Sequence, residues 1–549
     1  MRAPLILAAL LLAGCPKPPA TDDSAAVEDV DDTGETGDTG CAPQTWFLDG
    51  DGDGWGGEVT WEACAQPSPY YVDQGGDCDD ADARVHPEAQ EVGGDGVDQD
   101  CDGADPYALN LYDGDLFVSG ADAFTLCEQG YDGVDGDLSI YYSDWTDLSP
   151  LSCLVDVTGR FEVAYVHALT SLDGLERLQH VGELAVRRND GLLSFDGMDA
   201  LEQVDDLVEV WGNGSLRDIR ALRNLQVAPG GVQLYQNGPV TELEGAWWSQ
   251  GDYPGGLLLS LDVGHLRILS GITHIQGDVD IATDDPDGAF GLEALEEVGG
   301  GLRLSGYRDA FPPLPALRSV GGTLDLNGSF SDYTPLPDLS ALDQVSGDLD
   351  LYQVNVDGMS ALPNLRFIGR ELLMERIDDG RDLSGLQSLE EVGGVYIYNA
   401  EVTGLDGLSA LTTLDRLELE DVQVLDLSVL GSLVQLGELR VYGVEPDAAG
   451  PFIGPPALEE ITGHLAVIYS DDLTDIAGFD ALGAIGGDLN IRGNADLTAL
   501  SGFPVLGAVG EDFTVRGNGA LPRAEAEALL DRVGRENVGG QVDLDGNNG

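Results

Sequence analysis

After Lys17 the chain contains no lysine at all. Lysine and arginine together number 25 against 100 aspartates and glutamates in 549 residues, a formal net charge of −75. A surface this acidic repels phosphate backbones and anionic headgroups, which excludes nucleic acid and electrostatic docking on a lipid surface. Histidine is scarce as well: His86, His167, His180, His265, His274 and His464 are scattered. There is no His-Glu-x-x-His, no Gly-x-Ser-x-Gly and no phosphate loop, so no enzyme of those classes is expected. Cysteine stops at Cys153, and past the first 15 residues no apolar run is long enough to cross a bilayer.

What is present divides into four zones. Residues 1–15 begin Met-Arg, continue through an apolar run from Leu5 to Leu12 and end Leu12-Ala13-Gly14-Cys15. A basic start, a short apolar core and small residues before a cleavage point make a secretory signal. The closing tetrapeptide resembles a bacterial lipobox. That resemblance implies cleavage before Cys15, acylation of Cys15, and a membrane partnership through the lipid. Pro16, where retention signals carry Asp, implies the outer membrane and a surface-exposed chain. Residues 16–40 form an acidic tether rich in Pro, Thr, Gly and Asp, too polar to bury a core and expected to be disordered.

Residues 41–105 carry 17 acids against Arg84 alone, and they hold Cys41, Cys64, Cys78 and Cys101. With Cys127 and Cys153 these make an even set of six beyond Cys15, which in an exported chain points to disulfides. Pairing neighbours, 41–64, 78–101 and 127–153, is the simplest assignment. The acids follow a pattern. Asp49-Gly-Asp51-Gly-Asp53-Gly54 places three carboxylates at alternate positions with glycine to permit a sharp turn, the opening of an oxygen-rich calcium loop. Thr60 stands where an EF-hand would close with Glu, so this is no EF-hand. The triple recurs at Asp98-Gln-Asp100-Cys-Asp102-Gly103, and Asp77-Cys78-Asp79-Asp80 lies between. These read as half-loops sharing ligands, with calcium as the cofactor. Residues 46–103 resemble the short metal-binding motif of MopE-type secreted bacterial proteins, and more distantly thrombospondin type 3 repeats. The likeness rests on Gly76-Asp-Cys-Asp-Asp80, His86-Pro-Glu-Ala-Gln-Glu91 and Asp95-Gly-Val-Asp-Gln-Asp-Cys-Asp-Gly103. A cysteine that one form of the motif carries near Gly93 is absent here.

From residue 106 to 549 a repeat runs through the chain. Val181-Gly-Glu-Leu-Ala-Val186, Ile485-Gly-Gly-Asp-Leu-Asn-Ile491 and Val509-Gly-Glu-Asp-Phe-Thr-Val515 are versions of one block. Each is followed by a polar turn, often with Asn (189, 213, 237, 494, 518), and then by a leucine-rich stretch. The apolar opening residue recurs at 134, 157, 181, 204, 227, 275, 298, 320, 345, 368, 392, 414, 436, 461, 485 and 509, about every 23 residues. The gap from 227 to 275 holds two repeats, and the hidden coil is expected to use Leu257 to Leu261. A period of this length with one short alternating strand specifies a mainly β, right-handed leucine-rich or β-helix-like solenoid. At about 4.8 Å per coil it would be a rod of roughly 80 Å. Cys127 and Cys153 are expected to bracket the first coil. A helix over 522–533 and a strand at Gln541–Leu544 are expected to cap the last. The Leu-x-x-Leu…Val-x-Gly-x-Leu-x-Ile pattern resembles the receptor L domain, with Cys153-Leu-Val-Asp-Val-Thr-Gly-Arg-Phe-Glu-Val163 as its first cysteine-plus-strand unit. That likeness implies fold and a binding role without naming a ligand.

Aligned by the repeat, one outward position is aromatic at Tyr141, Trp211, Tyr235, Tyr352, Tyr398 and Tyr442. Two residues earlier stand polar side chains, among them Glu209, Gln233, Asp350 and Arg440. Exposed aromatics on a sheet suit stacking on a sugar or contact with a protein; tyrosine also packs well along β ladders for structural reasons alone. The reading is therefore a surface lipoprotein that binds an extracellular glycan or protein and is not an enzyme. The alternatives are a structural envelope protein without a discrete ligand and a polysaccharide-degrading β-helix enzyme. The last would need clustered carboxylates or basic groups on neighbouring coils, and Arg187, Arg188, Arg492 and Arg516 read as isolated.

Overall fold

The computed structural model describes residues 43–89, 97–103, 109–119, 125–226, 228–238, 240, 251–253, 255–260, 271–282, 291–307, 310–329, 333–378, 383–444 and 449–548. The signal, Cys15, the tether, Cys41 and Val227 lie outside them. The chain divides into two compact units, 1–108 and 109–549.

In the first unit β1 (Gln44–Leu48) is the centre of a three-stranded sheet, antiparallel to β2 (Thr60–Ala63) and β3 (Tyr71–Val72). Gly56 crosses close over β1: a Cβ there would lie 2.5 Å from that of Phe47. Among the described residues this unit buries almost no large apolar side chain, with Val85 the exception. A disulfide joins Cys78 to Cys101. Cys64 is disulfide-bonded too, but Cys41, its expected partner, falls outside the described residues.

The second unit is a parallel solenoid. Val134 lies opposite Val157, Val157 opposite Val181 and Val181 opposite Val204, so the opening residue of each block stacks on the next. A second row of strands runs alongside, Leu138–Tyr141 beside Phe161–Ala164 and so on to Phe513–Arg516. No pairing among the described residues joins the last strand to the first, so the ladder is open. The glycine that follows the opening residue has a steric cause. A Cβ on Gly510 would sit 2.0 Å from the Gly486 carbonyl oxygen, and one on Gly321 equally close to that of Gly299. On these coils the backbone passes so close to the one below that glycine is favoured, while Thr158, Asp205, Ser346, Asp415 and Thr462 take the same place on others.

The leucine-rich stretches close each coil. Leu497, Leu500, Phe503 and Leu506, spaced by three, all point into the core. Their backbone bonds span three residues, as from the Leu201 N–H to the Met198 carbonyl and from that of Leu178 to Leu175. Three residues per turn is 3₁₀ geometry, which brings every third side chain to one face. Phe452, Phe479 and Phe503 stack inside, the last two at 5.3 Å with planes 7° apart. Of the asparagines expected in polar turns, Asn189, Asn213, Asn494 and Asn518 are buried and Asn237 is half-buried. Asn189 accepts the Val166 N–H at 2.8 Å and donates to the Val163 carbonyl at 2.9 Å; Asn213, Asn494 and Asn518 repeat the arrangement one coil at a time. An unpaired buried amide would cost about 1–3 kcal/mol, so each Asn both satisfies the turn and fixes its neighbour.

Both ends extend the sequence reading. Strands Leu111–Asp113 and Leu116–Ser119 pair with Gly133–Asp135 and Leu138–Tyr141, so one coil precedes the expected first coil. The Cys127–Cys153 disulfide lies between that coil and the next. The hidden coil uses Leu257–Ser260, with Tyr253 opposite Ile275 at the opening position; Leu261 is outside the described residues. At the far end α1 (Arg523–Val533) buries Ala526, Leu529, Leu530 and Val533 against the last coil. The closing strand is the shorter pair Val542–Asp543. No helix among the described residues is long and apolar enough to cross a membrane.

Candidate functional site

The acidic module brings its half-loops together. Gly52 and Gly54 adopt left-handed φ values of 88° and 100°, curling the chain around the carboxylates of Asp49, Asp51 and Asp53. One oxygen from each of the three lies within 4.8 Å of the others. Asp49 accepts the N–H groups of Gly52 at 2.6 Å and Gly54 at 3.2 Å, while the Trp55 N–H donates to Asp53 at 2.7 Å. Asp80 reaches in from the next segment to accept the Gly50 N–H at 2.8 Å. Asp49 and Asp77 are buried. Oδ2 of Asp51, Asp53 and Asp77 is each enclosed without a hydrogen-bond partner.

Three orphaned carboxylate oxygens in one small unit are costly unless a cation takes them. The electrostatics agree. Burial pushes the Asp51 carboxyl above the usual carboxylate range, and repulsion from Asp53, Asp49 and Asp80 adds to it. Asp77 is raised likewise by burial and then by Asp53, Asp51 and Asp80. Asp49, Asp51, Asp53, Asp77 and Asp80 therefore form one electrostatic group drawn from two segments. The side chain of Asp79 is not drawn into it by any hydrogen bond, although its N–H donates to Asp77 at 2.9 Å.

The second triple closes on itself. The Asp102 N–H donates to Asp98 and Asp100, and the Gly103 N–H to Asp98 at 2.8 Å. Oxygens of Asp98, Asp100 and Asp102 also lie within 4.8 Å of one another. The Cys78–Cys101 disulfide links the two arrangements covalently, since Cys78 follows Asp77 and Cys101 stands between Asp100 and Asp102. The His86 ring is engaged elsewhere, lying parallel to that of Trp55 at 6.3 Å.

On the solenoid, the six aromatic positions fall in one register row. Tyr141, Ala164, Arg187, Trp211 and Tyr235 are successive members. The row continues through Tyr352, Glu375, Tyr398, Glu420 and Tyr442 to Ile468, Arg492 and Arg516. Of the six, Tyr442 is exposed, with its ring edge against Tyr469, and Tyr141, Trp211, Tyr235, Tyr352 and Tyr398 are half-buried. The expected polar flank is more enclosed than alternation alone implies, because Glu162 and Glu209 are buried. Arg187 is not isolated: it bridges Glu162 at 3.0 Å and Glu209, and Arg160 reaches Glu183 at 3.0 Å and Glu209 at 3.2 Å. The Tyr235 hydroxyl donates to Glu209 at 3.1 Å. Burial and then a hydrogen bond to Glu162 push the Tyr141 phenol up to about 12.

Immediately after the first row lies a row of left-handed residues that was not anticipated from the sequence, three of them tyrosines. Tyr142, Tyr165, Arg188 and Tyr469 take left-handed φ values where Gly212, Gly443, Gly493 and Gly517 stand on other coils. Tyr142 stacks on Tyr165 at 4.8 Å, and Arg188 sits over Trp211 at 4.4 Å. The usable signal was the alternation of Gly with large residues at one repeat position. A histidine cluster was missed as well. His464, Asp488 and Glu511, one repeat apart, bring one ligand atom each within 4.8 Å of the others.

A family described as "Putative metal-binding motif", of the MopE type, matches residues 77–105. The Asp49–Asp53 loop that shares its cluster with Asp77 lies outside that stretch. No curated protein matches the chain. Among solved structures, an internalin of Listeria monocytogenes is 16% identical, over 62% of this chain and 88% of that one, with a TM-score of 0.34. A leucine-rich-repeat protein of Leptospira interrogans is 13% identical, over 72% of this chain and 91% of that one, with a TM-score of 0.30.

Proposed function

We propose that this is a cell-surface lipoprotein whose receptor L-domain-like solenoid binds an extracellular glycan or protein, carried on a calcium-stabilised module. The observation that carries the recognition role is the single outward row shared by Tyr141, Trp211, Tyr235, Tyr352, Tyr398 and Tyr442. Aromatic rings along a rigid parallel ladder form a repeating contact surface whose ordering cost was met in folding.

Calcium suits the acidic cluster better than a softer ion. Its donors are carboxylate oxygens from two segments, the ligand set of a hard cation with flexible coordination. Copper or zinc would call on imidazole or thiolate; His86 is stacked on Trp55, and Cys78 and Cys101 are joined. Leu12-Ala-Gly-Cys15 supports the lipid anchor, and Pro16 after it supports outer-membrane placement.

A structural envelope role is favoured by one observation: Trp211 and Tyr235 spend a face each on one another. The test is a glycan array run with matched degradation assays on full-length protein. Binding without turnover supports recognition, neither supports the structural reading, and turnover overturns both.

A further inference from the structure

Where Ala466 follows Arg440 on the outward face, the surface drops into a cavity of about 410 Å³. That volume falls in the range of small-ligand sites. Tyr442 and Ile468 give it an apolar wall. Glu418, Glu420, Glu438 and Asp488 line it with carboxylates, against one guanidinium, Arg440. Arg440 is spent on Glu438 at 2.6 Å, and Arg416, outside the cavity, also holds Glu438 at 3.1 Å. Asp488 has His464 at 3.3 Å.

Glu420 meets no cation in this way. Burial raises its carboxyl, with repulsion from Asp421 and Glu418 adding to it, and its hydrogen-bonding neighbour is the Tyr396 hydroxyl at 3.5 Å. Glu418 stands opposite Arg440, whose guanidinium is hydrogen-bonded to Glu438 instead, and its own ion-pair contact is a long one to Arg416, 3.8 Å. Asn490, also in the lining, holds an enclosed Oδ1 without a donor. The cavity is thus rich in acceptors and short of positive charge and N–H groups. With no lysine after residue 17 and no arginine of the lining left free, the chain supplies no ammonium of its own.

We infer that this cavity binds a primary ammonium on a short apolar stem, the chemistry of a lysine side chain, with Glu418 and Glu420 holding the charge and Tyr442 and Ile468 flanking the stem. Four methylenes against an aromatic ring and an aliphatic wall, with charge at the far end, satisfy both halves of the lining. The inference rests on reading the outward face as a recognition surface and names the chemistry of one place on it.

The probe is lysine amide, titrated calorimetrically into the full chain, with Nε-acetyl-lysine amide, glucosamine and glucose alongside. Lysine amide is expected to bind saturably, the acetylated form not at all, and glucosamine more weakly because its ring offers no apolar stem. Glu418→Gln/Glu420→Gln is expected to weaken binding at least about tenfold, as loss of charge-assisted bonds should. Ala466→Leu, which fills the cavity floor without changing charge, is expected to weaken it similarly. Trp211→Ser/Tyr235→Ser should bind lysine amide normally, which separates this site from the Trp211–Tyr235 pair at the other end of the row. Equal binding by the Glu418→Gln/Glu420→Gln protein would mean diffuse attraction to an acidic surface and overturn the inference. Equal binding of glucose would overturn it in favour of hydroxyl recognition, and no binding would overturn it outright.

Discussion

The ring of Tyr235 lies parallel to that of Trp211, 5.7 Å away with planes 3° apart, because in-register pairing sets the two residues side by side on adjacent coils. Such a pair is worth about 0.5–1.5 kcal/mol beyond area burial. A double-mutant cycle with Trp211→Ser and Tyr235→Ser is expected to return a coupling of that size. The double variant should lose the ligand found on the array while its Tm falls only a few degrees. A collapse in Tm would make the row a structural ladder and refute its role in recognition.

Asp350 stands opposite Asp325 on the neighbouring coil, and its carboxyl is pushed up to about 6, first by burial, then by Asp325, Asp348 and Glu375. A folded-state pKa raised above the unfolded value means that the folded chain binds the proton more tightly. The penalty of the buried carboxylate is therefore absent below the unfolded value of 3.8, grows as pH rises to about 6 and is full above it. Asp350→Asn is expected to be more stable than wild type at neutral pH by about 1–2 kcal/mol, allowing for solvent screening. The advantage should vanish near pH 4, below the folded pKa. Denaturant melts across that interval check it; a constant difference would contradict it.

Cys127 and Cys153 close a loop of 26 residues at the start of the solenoid. On the chain-entropy picture such a link is worth about 3 kcal/mol. Cys127→Ser/Cys153→Ser is expected to leave the far coils protected from hydrogen exchange while the coils before residue 165 exchange faster. Uniform protection in both proteins would show that the link is dispensable.

Anchoring is expected to depend on Cys15. A palmitate analogue should label wild type and spare Cys15→Ser, and persistent labelling of the variant would refute the lipid anchor.

Much of the solenoid was legible because its rules are local. A period near 23 and leucines three apart mark steric demands repeated along the array, and glycine after the opening residue marks another on many of its coils. The coil at Tyr112 escaped notice and the one at Tyr253 was inferred only from a gap of two repeats, because both carry tyrosine at the opening position and a search for aliphatic residues passes over them. Burial of the turn asparagines was not legible, since their partners are backbone groups a whole coil away. The salt-bridge network of Arg160, Arg187, Glu162 and Glu209 escaped for the same reason. In the acidic module the triples were plain from their spacing. That Asp77 and Asp80 face the Asp49–Asp53 loop while Asp79 does not depends on how two loops cross, which sequence spacing does not encode.

The stability of the acidic module hinges on the cation. Asp51, Asp53 and Asp77 each keep an enclosed oxygen without a partner, and the module buries little apolar surface to offset their repulsion. Extracellular calcium modules bind at about 0.1–1 mM, and ten such dissociation constants of free ion would add about 1.4 kcal/mol for a single site. Calorimetry of the full chain at several calcium concentrations, with chelator, and with Asp51→Ala and Asp77→Ala is the direct measurement. The account predicts a transition that climbs with calcium, falls in chelator and is lost or insensitive to calcium in both variants, beside a solenoid transition that does not move. Identical melts under all of these conditions would contradict it and leave the acids as a solvated surface.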